Sequence, residues 1–315
     1  MNPKNTMTEN IGDESIKTER VGRTKLEHLL REVSDRDIEI LKSVRSYRYL
    51  MTGQIRRLHF IDATSDTAGL RSTNRILVKL KELDLVRPLN RRIGGVRSGS
   101  GSLIFAISPT GARLLAMTEC ADDPIRKRFR EPSPSFLEHT LAVAELSIRL
   151  LEMGFENRSE MLLKYELEPD CWRNYTNLGG VARTLKPDLY AATSSGDYED
   201  HWFFEVDLET ASPAQILKKC EQYLAYKRAG IEQRKDGVFP SVVYLVPTEK
   251  RKNSLKRHIG DIFREGTPEV FTVITMDELY PLIEVGAEDY RKIGVSKLKV
   301  QTNSNTTSEG GSCDV

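Results

Sequence analysis

Asp188 closes the tripeptide Lys186-Pro187-Asp188, and Glu205 stands in the run Phe203-Phe204-Glu205-Val206-Asp207. Both acids sit at the ends of apolar, strand-like runs. If the two strands pair as a hairpin, their side chains come together. Two carboxylates so placed are hard oxygen ligands suited to Mg²⁺ or Mn²⁺. Such an ion can activate water, polarise a phosphodiester and stabilise the leaving oxygen. Glu205 and Asp207 are two apart, so both point to one sheet face, where Asp207 reaches the metal region or orients a neighbour.

Other residues join this set by spacing. Lys219, Tyr223 and Tyr226 recur at helical intervals after the second strand and share one face. Lys219 is either a phosphate-stabilising cation or a solvated charge; Tyr223 and Tyr226 are either hydroxyl donors or packed core. Glu145 is either a third carboxylate or part of a solvent stripe with Arg149 four residues on. His139 has no partner histidine at metal-ligand spacing, so it is expected to make a structural hydrogen bond.

The elements that must position these groups follow from periodicity. Residues 136–152 form an apolar-faced helix, 161–167 a strand, and 184–192 and 201–208 two more strands joined by a turn. A helix over 213–229, a buried strand over 241–246, a basic helix over 248–264 and a strand over 270–275 complete an αβββαβαβ order. That order describes a mixed sheet flanked by helices, an α+β or α/β architecture spanning 135–294. Residues 295–315 read as a disordered tail.

The first half has a different pattern. Residues 1–33 read as a disordered or loosely helical extension. Ser34 with Asp37 caps a helix, a short helix follows Thr52, and residues 69–83 form a third. That third helix carries Arg71, Asn74, Arg75 and Lys79 on its outer face. A hairpin follows, with a basic Gly/Ser-rich tip holding Arg91, Arg92 and Arg97, and Ser108-Pro109-Thr110-Gly111 opens a closing helix. The whole, 34–118, reads as a winged helix-turn-helix whose helix face and tip bind DNA; its alternative use is protein contact alone. Residues 119–134, charged and proline-containing, read as a linker.

Composition sets outer bounds. Net charge is only +1, yet residues 71–97 hold eight basic residues against Glu82 and Asp84, a local phosphate-binding surface in a neutral chain. Four cysteines without CxxC spacing suggest a reducing compartment and argue against structural zinc. No secretory signal or membrane segment is evident, so a cytoplasmic location is expected.

Taken in order, these elements resemble the replication-relaxation family, which includes the MOBC-type plasmid relaxases. The resemblance rests on the 57–83 region, Ser108-Pro109-Thr110-Gly111, Glu138-His139 with Ala142-Val143-Ala144-Glu145, and Lys186-Pro187-Asp188. It continues through Glu205-Val206-Asp207 with Thr210, Lys219 with Tyr223 and Tyr226, and Pro240 before a buried strand. It implies a PD-(D/E)XK, restriction-endonuclease-like sheet joined to a winged helix. It further implies strand nicking at an origin-like duplex with local single-strand character, Asp188 and Glu205 as metal ligands, and mobilisation or replication proteins as partners. Asp207 stands where that superfamily usually has lysine. Lys219 is the candidate replacement; without it, the fold would be a non-catalytic DNA-binding platform.

Overall fold

Ser34 sets where the first long helix of the sequence reading begins. The computed structural model describes residues 21–90, 103–119, 131–155, 162–177, 179–195, 198–262 and 270–293. In it the Ser34 hydroxyl accepts from the Asp37 amide, and the Asp37 carboxylate accepts from the Ser34 amide. From that cap runs α2 (Asp35–Tyr47), preceded by α1 (Arg23–Glu32). The helix α1 occupies part of the extension expected to be disordered or loosely helical. Leu26 and Leu29, three apart, bury one of its faces in the N-terminal core.

Next come β1 (Leu50–Met51), α3 (Thr52–His59), α4 (Asp66–Glu82), β2 (Val86–Pro88), β3 (Ile104–Ile107) and α5 (Pro109–Thr118). The three strands form an antiparallel sheet in the order β1-β3-β2. Ile40, Leu41, Val44, Ile55, Leu80 and Leu114 are fully buried beneath it. The Ser108-Pro109-Thr110-Gly111 segment ties the end of the hairpin to its start. The Ser108 hydroxyl accepts from the Gly111 amide and donates to the Asp84 carbonyl; Thr110 donates to the Asp84 carboxylate. Gly111 is required there, because a Cβ would lie 2.2 Å from the Leu85 carbonyl oxygen.

The C-terminal part begins with α6 (Pro134–Phe155), so the expected linker ends in a helix; residues 120–130 of it lie outside the described residues. There follow β4 (Leu162–Leu167), β5 (Arg173–Thr176), β6 (Ala182–Leu185), β7 (Leu189–Ser195), β8 (Tyr198–Val206), α7 (Pro213–Ala229), α8 (Ile231–Asp236), β9 (Ser241–Val246), α9 (Glu249–Ile262), β10 (Phe271–Thr275) and α10 (Leu279–Ile293). Five strands make one mixed sheet in the order β10-β9-β8-β7-β4; β8, β9 and β10 run parallel, and β7 and β4 alternate. Alternation along β8 assigns the two faces. Trp202 and Phe204 pack with α6 and α10, while Phe203 packs with α7 and α9.

Three expectations change. The strand expected over 184–192 is broken: β6 pairs with β5 in a separate hairpin, and Lys186-Pro187-Asp188 carries the chain from that hairpin to β7. The β5–β6 hairpin, α8 and α10 add to the expected αβββαβαβ order. The strand expected over 201–208 ends at Val206, leaving Asp207 just beyond it.

Candidate active site

The β7–β8 register runs from Ser195 opposite Tyr198 to Leu189 opposite Phe204, so Asp188 stands just ahead of β7 and Glu205 in β8 one residue past Phe204, near enough for the charge of Asp188 to act on Glu205. Each residue of the Lys-Pro-Asp segment is held. Lys219 donates to the Lys186 carbonyl at 2.6 Å, the Cys171 thiol donates to the Pro187 carbonyl at 3.0 Å, and the Asp188 amide donates to the Phe204 carbonyl at 3.1 Å.

Asp188 Oδ2 accepts from the Val206 amide at 2.7 Å and meets His139 Nε2, on α6, at 3.2 Å. The hydrogen bond to Asp188 raises the His139 pKa against the opposing effect of burial, and the charges of Asp188, Glu168 and Glu205 add to it. Glu205 is only 8% exposed. Its Oε1 accepts from Tyr223 Oη at 2.5 Å and from Lys219 Nζ at 3.1 Å. Burial, then the charge of Asp188, push the Glu205 carboxyl up to about 8, although Lys219 and Tyr223 pull the other way. Burial and the neighbouring Glu205 in turn lift the Tyr223 hydroxyl well above its ordinary value.

Lys219, Tyr223, Asp188 and Glu205 are therefore brought together. Asp207 is not free to join them. It points toward the same helical layer, but its Oδ2 accepts from Arg251 Nε of α9 at 2.6 Å, and Arg251 also donates to the Ala211 carbonyl. Glu145 follows its other expected course, pairing with Arg149 at 3.0 Å; it faces α3, where Arg57 approaches at 2.7 Å and Gln54 at 3.4 Å. Tyr226 also turns away, donating to Glu232 at 2.6 Å. The expected structural hydrogen bond of His139 exists, and its partner is Asp188 itself. Glu168, which contributes to the charge around His139, carries no local sequence signal.

Asp188 Oδ1 and Glu205 Oε2 accept no hydrogen bond among the described residues. Mg²⁺ is commonly held by one or two carboxylates, with waters and substrate phosphate oxygens completing its shell. The pair fits that demand: two open carboxylate oxygens, one of them on a group that burial and its neighbour make reluctant to ionise. Among the described residues no group of three or more His, Cys, Asp or Glu side chains is arranged around one ion.

On the outer face of α4, Arg71, Asn74 and Arg75 are exposed beside Leu70 and Val78. Lys79, on the same helix, is half-exposed and has a partner. It donates to the buried Asp37 carboxylate at 2.8 Å, so it braces α4 on α2. Arg91, Arg92 and Arg97 lie outside the described residues. Among the described residues no helix is long and apolar enough to cross a membrane.

Compared with known families, the chain matches replication-relaxation over residues 41–242, well over half its length. No curated protein and no solved structure matches it.

Proposed function

Because the chain belongs to the replication-relaxation family, we propose that it binds DNA in plasmid or mobile-element mobilisation or replication, and that it nicks one strand. The observation that carries the cleavage is the Asp188–Glu205 pair, one acid at the entrance to β7 and the other in the adjacent β8, with an oxygen on each that accepts no hydrogen bond among the described residues and Lys219 against Glu205. In this reading the β10-β9-β8-β7-β4 sheet between α6 and α7 is a restriction-endonuclease-like core. The α2-β1-α3-α4-β2-β3 order, with its β1-β3-β2 sheet, is a winged helix. Arg71, Asn74 and Arg75 on α4 face the DNA, with Arg91, Arg92 and Arg97 of the tip along phosphate. The location is cytoplasmic, with a duplex of local single-strand character as substrate.

Asp188 and Glu205 would hold Mg²⁺ or Mn²⁺, which supplies Lewis acidity toward the phosphodiester and an acidified water. The remaining work falls to the chain's own side chains. Lys219, partly exposed beside Glu205, places a positive charge where phosphate charge builds. It thus takes the place of the lysine that position 207 lacks. Tyr223 is fully buried and holds Glu205 in orientation, so it is a positioning residue. His139 does the same for Asp188.

The test is relaxation of a supercoiled plasmid carrying the element's own origin, with Mg²⁺ or Mn²⁺. The wild type is expected to give open circles, and Asp188→Ala and Glu205→Ala to lower the rate by about a hundredfold or more. One observation favours a second reading, a non-catalytic DNA-binding protein: Asp207 is locked to Arg251 where the lysine is usual. Wild type that binds this plasmid but never nicks it decides for that reading.

A further inference from the structure

Between the end of α2 and the start of α6 lies a cavity of ≈ 230 Å³ that reaches Asp188. Enclosing a whole small-molecule ligand usually takes about 300–1,000 Å³, so the space suits a single flat ring system. Val143, Leu167 and Phe136 give it apolar walls. Its charges cancel in pairs: Arg48 lies 3.4 Å from Glu168, and His139 lies 3.2 Å from Asp188. A phosphate gains nothing from such a lining, whereas a neutral ring with polar edges finds apolar faces and both donors and acceptors.

Two further features mark the cavity. Phe136 is 43% exposed, an unusual condition for a large aromatic, and the Tyr49 ring meets it edge-on at 6.4 Å. Arg48 has φ 65° and ψ −46°, a positive-φ backbone that L side chains rarely adopt. Strain of this kind persists where the surroundings impose it and gathers at ligand-gripping positions.

We infer that this cavity takes one unstacked base of the DNA strand lying at Asp188, stacked on Phe136 and met at its edge by Arg48 and Glu168. The inference rests on the proposal that the chain acts on DNA, and deepens it by naming a base subsite next to the cleavage centre. Aromatic rings and guanidinium groups are sequence-tolerant platforms for an unpaired base. A carboxylate accepts from an exocyclic amine. A base held here would fix which phosphate comes to rest beside Asp188 and Glu205.

The experiment measures binding of the full chain by fluorescence anisotropy in EDTA, so that no cleavage occurs. Three labelled duplexes of one sequence are compared: fully paired, with a central unpaired bubble, and with the same bubble made abasic. Wild type is expected to bind the intact bubble roughly tenfold more tightly than the abasic one. Phe136→Ala should erase that difference while leaving affinity for the paired duplex unchanged; Phe136 is exposed, so its truncation spares the core. Phe136→Trp should restore the difference. Equal binding of the two bubbles by wild type, or a difference that survives Phe136→Ala, overturns the base subsite alone. No binding to any of the three duplexes overturns the DNA-binding reading and the subsite with it.

Discussion

Glu205 is the residue whose chemistry most depends on its surroundings. Its carboxyl, 4.5 in an unstructured chain, is pushed up to about 8 by burial and by Asp188. Between those values the folded protein keeps a proton that the unfolded chain releases. The stability from this group is therefore fully present below 4.5 and lost as pH rises through about 8. In chelator, the thermal midpoint of wild type should fall between about pH 5 and about pH 8, while Glu205→Gln stays flatter; the difference is a few kcal/mol at most. Parallel curves for the two proteins would show that another group titrates. At this scale the acids were legible because each ends an apolar run. For Asp207 the two-residue spacing predicts a shared face and says nothing of Arg251, which arrives from a helix 44 residues on.

Among elements, α4 carries two kinds of cation within one turn of each other. Arg71 and Arg75 lie on its open side, yet Lys79, four residues further, bends to Asp37 of α2. The two kinds of cation should separate by experiment. Arg75→Ala should weaken DNA binding and lower its salt slope by about 1 without moving the melting temperature. Lys79→Met leaves a buried carboxylate without its counter-ion and should cost about 1–3 kcal/mol of stability. Loss of DNA binding by Lys79→Met, with stability intact, would return that lysine to the DNA face. The missed α10 has helical apolar spacing at Leu279, Leu282, Ile283, Ala287 and Tyr290, all buried against the sheet. Pro281 and Gly286 hide it, and Gly286 indeed kinks it with φ 77°.

Over the whole molecule, α6 joins the two parts. Ala144 and Ile148 belong to the N-terminal core, while Leu146 and Leu150 pack under the five-stranded sheet. Polar contacts reinforce the joint: Tyr47 Oη meets Ser147 Oγ at 2.5 Å, Gln54 donates to the Leu141 carbonyl, and Arg57 bridges Glu145 and Glu152. The helix α4 and the Asp188–Glu205 pair are thereby held in one frame, with the cavity at the seam. Arg57→Met strips two half-buried carboxylates of their shared cation and should lower stability by about 1–3 kcal/mol. Arg149→Ala, at a more exposed pair, should change it by about 0.5 kcal/mol or less. Thermal unfolding measures both; an unchanged midpoint for Arg57→Met would mean the joint rests on apolar packing alone.

The sequence by itself determined what is local. The Ser34–Asp37 cap, the helix-and-hairpin order of the first half and the β7–β8 hairpin beside Asp188 and Glu205 all follow from caps, periodicity and turn composition. These act over a few residues and survive without knowledge of the rest. Which partner each polar side chain meets was decided only by tertiary packing. Glu145 meets Arg57 because α3 brings it there, and Lys79 meets Asp37 because α2 offers a buried carboxylate. His139 entered because α6 crosses beside the Lys186-Pro187-Asp188 segment. A spacing rule specifies the face of an element; the charge waiting opposite that face belongs to a different part of the chain.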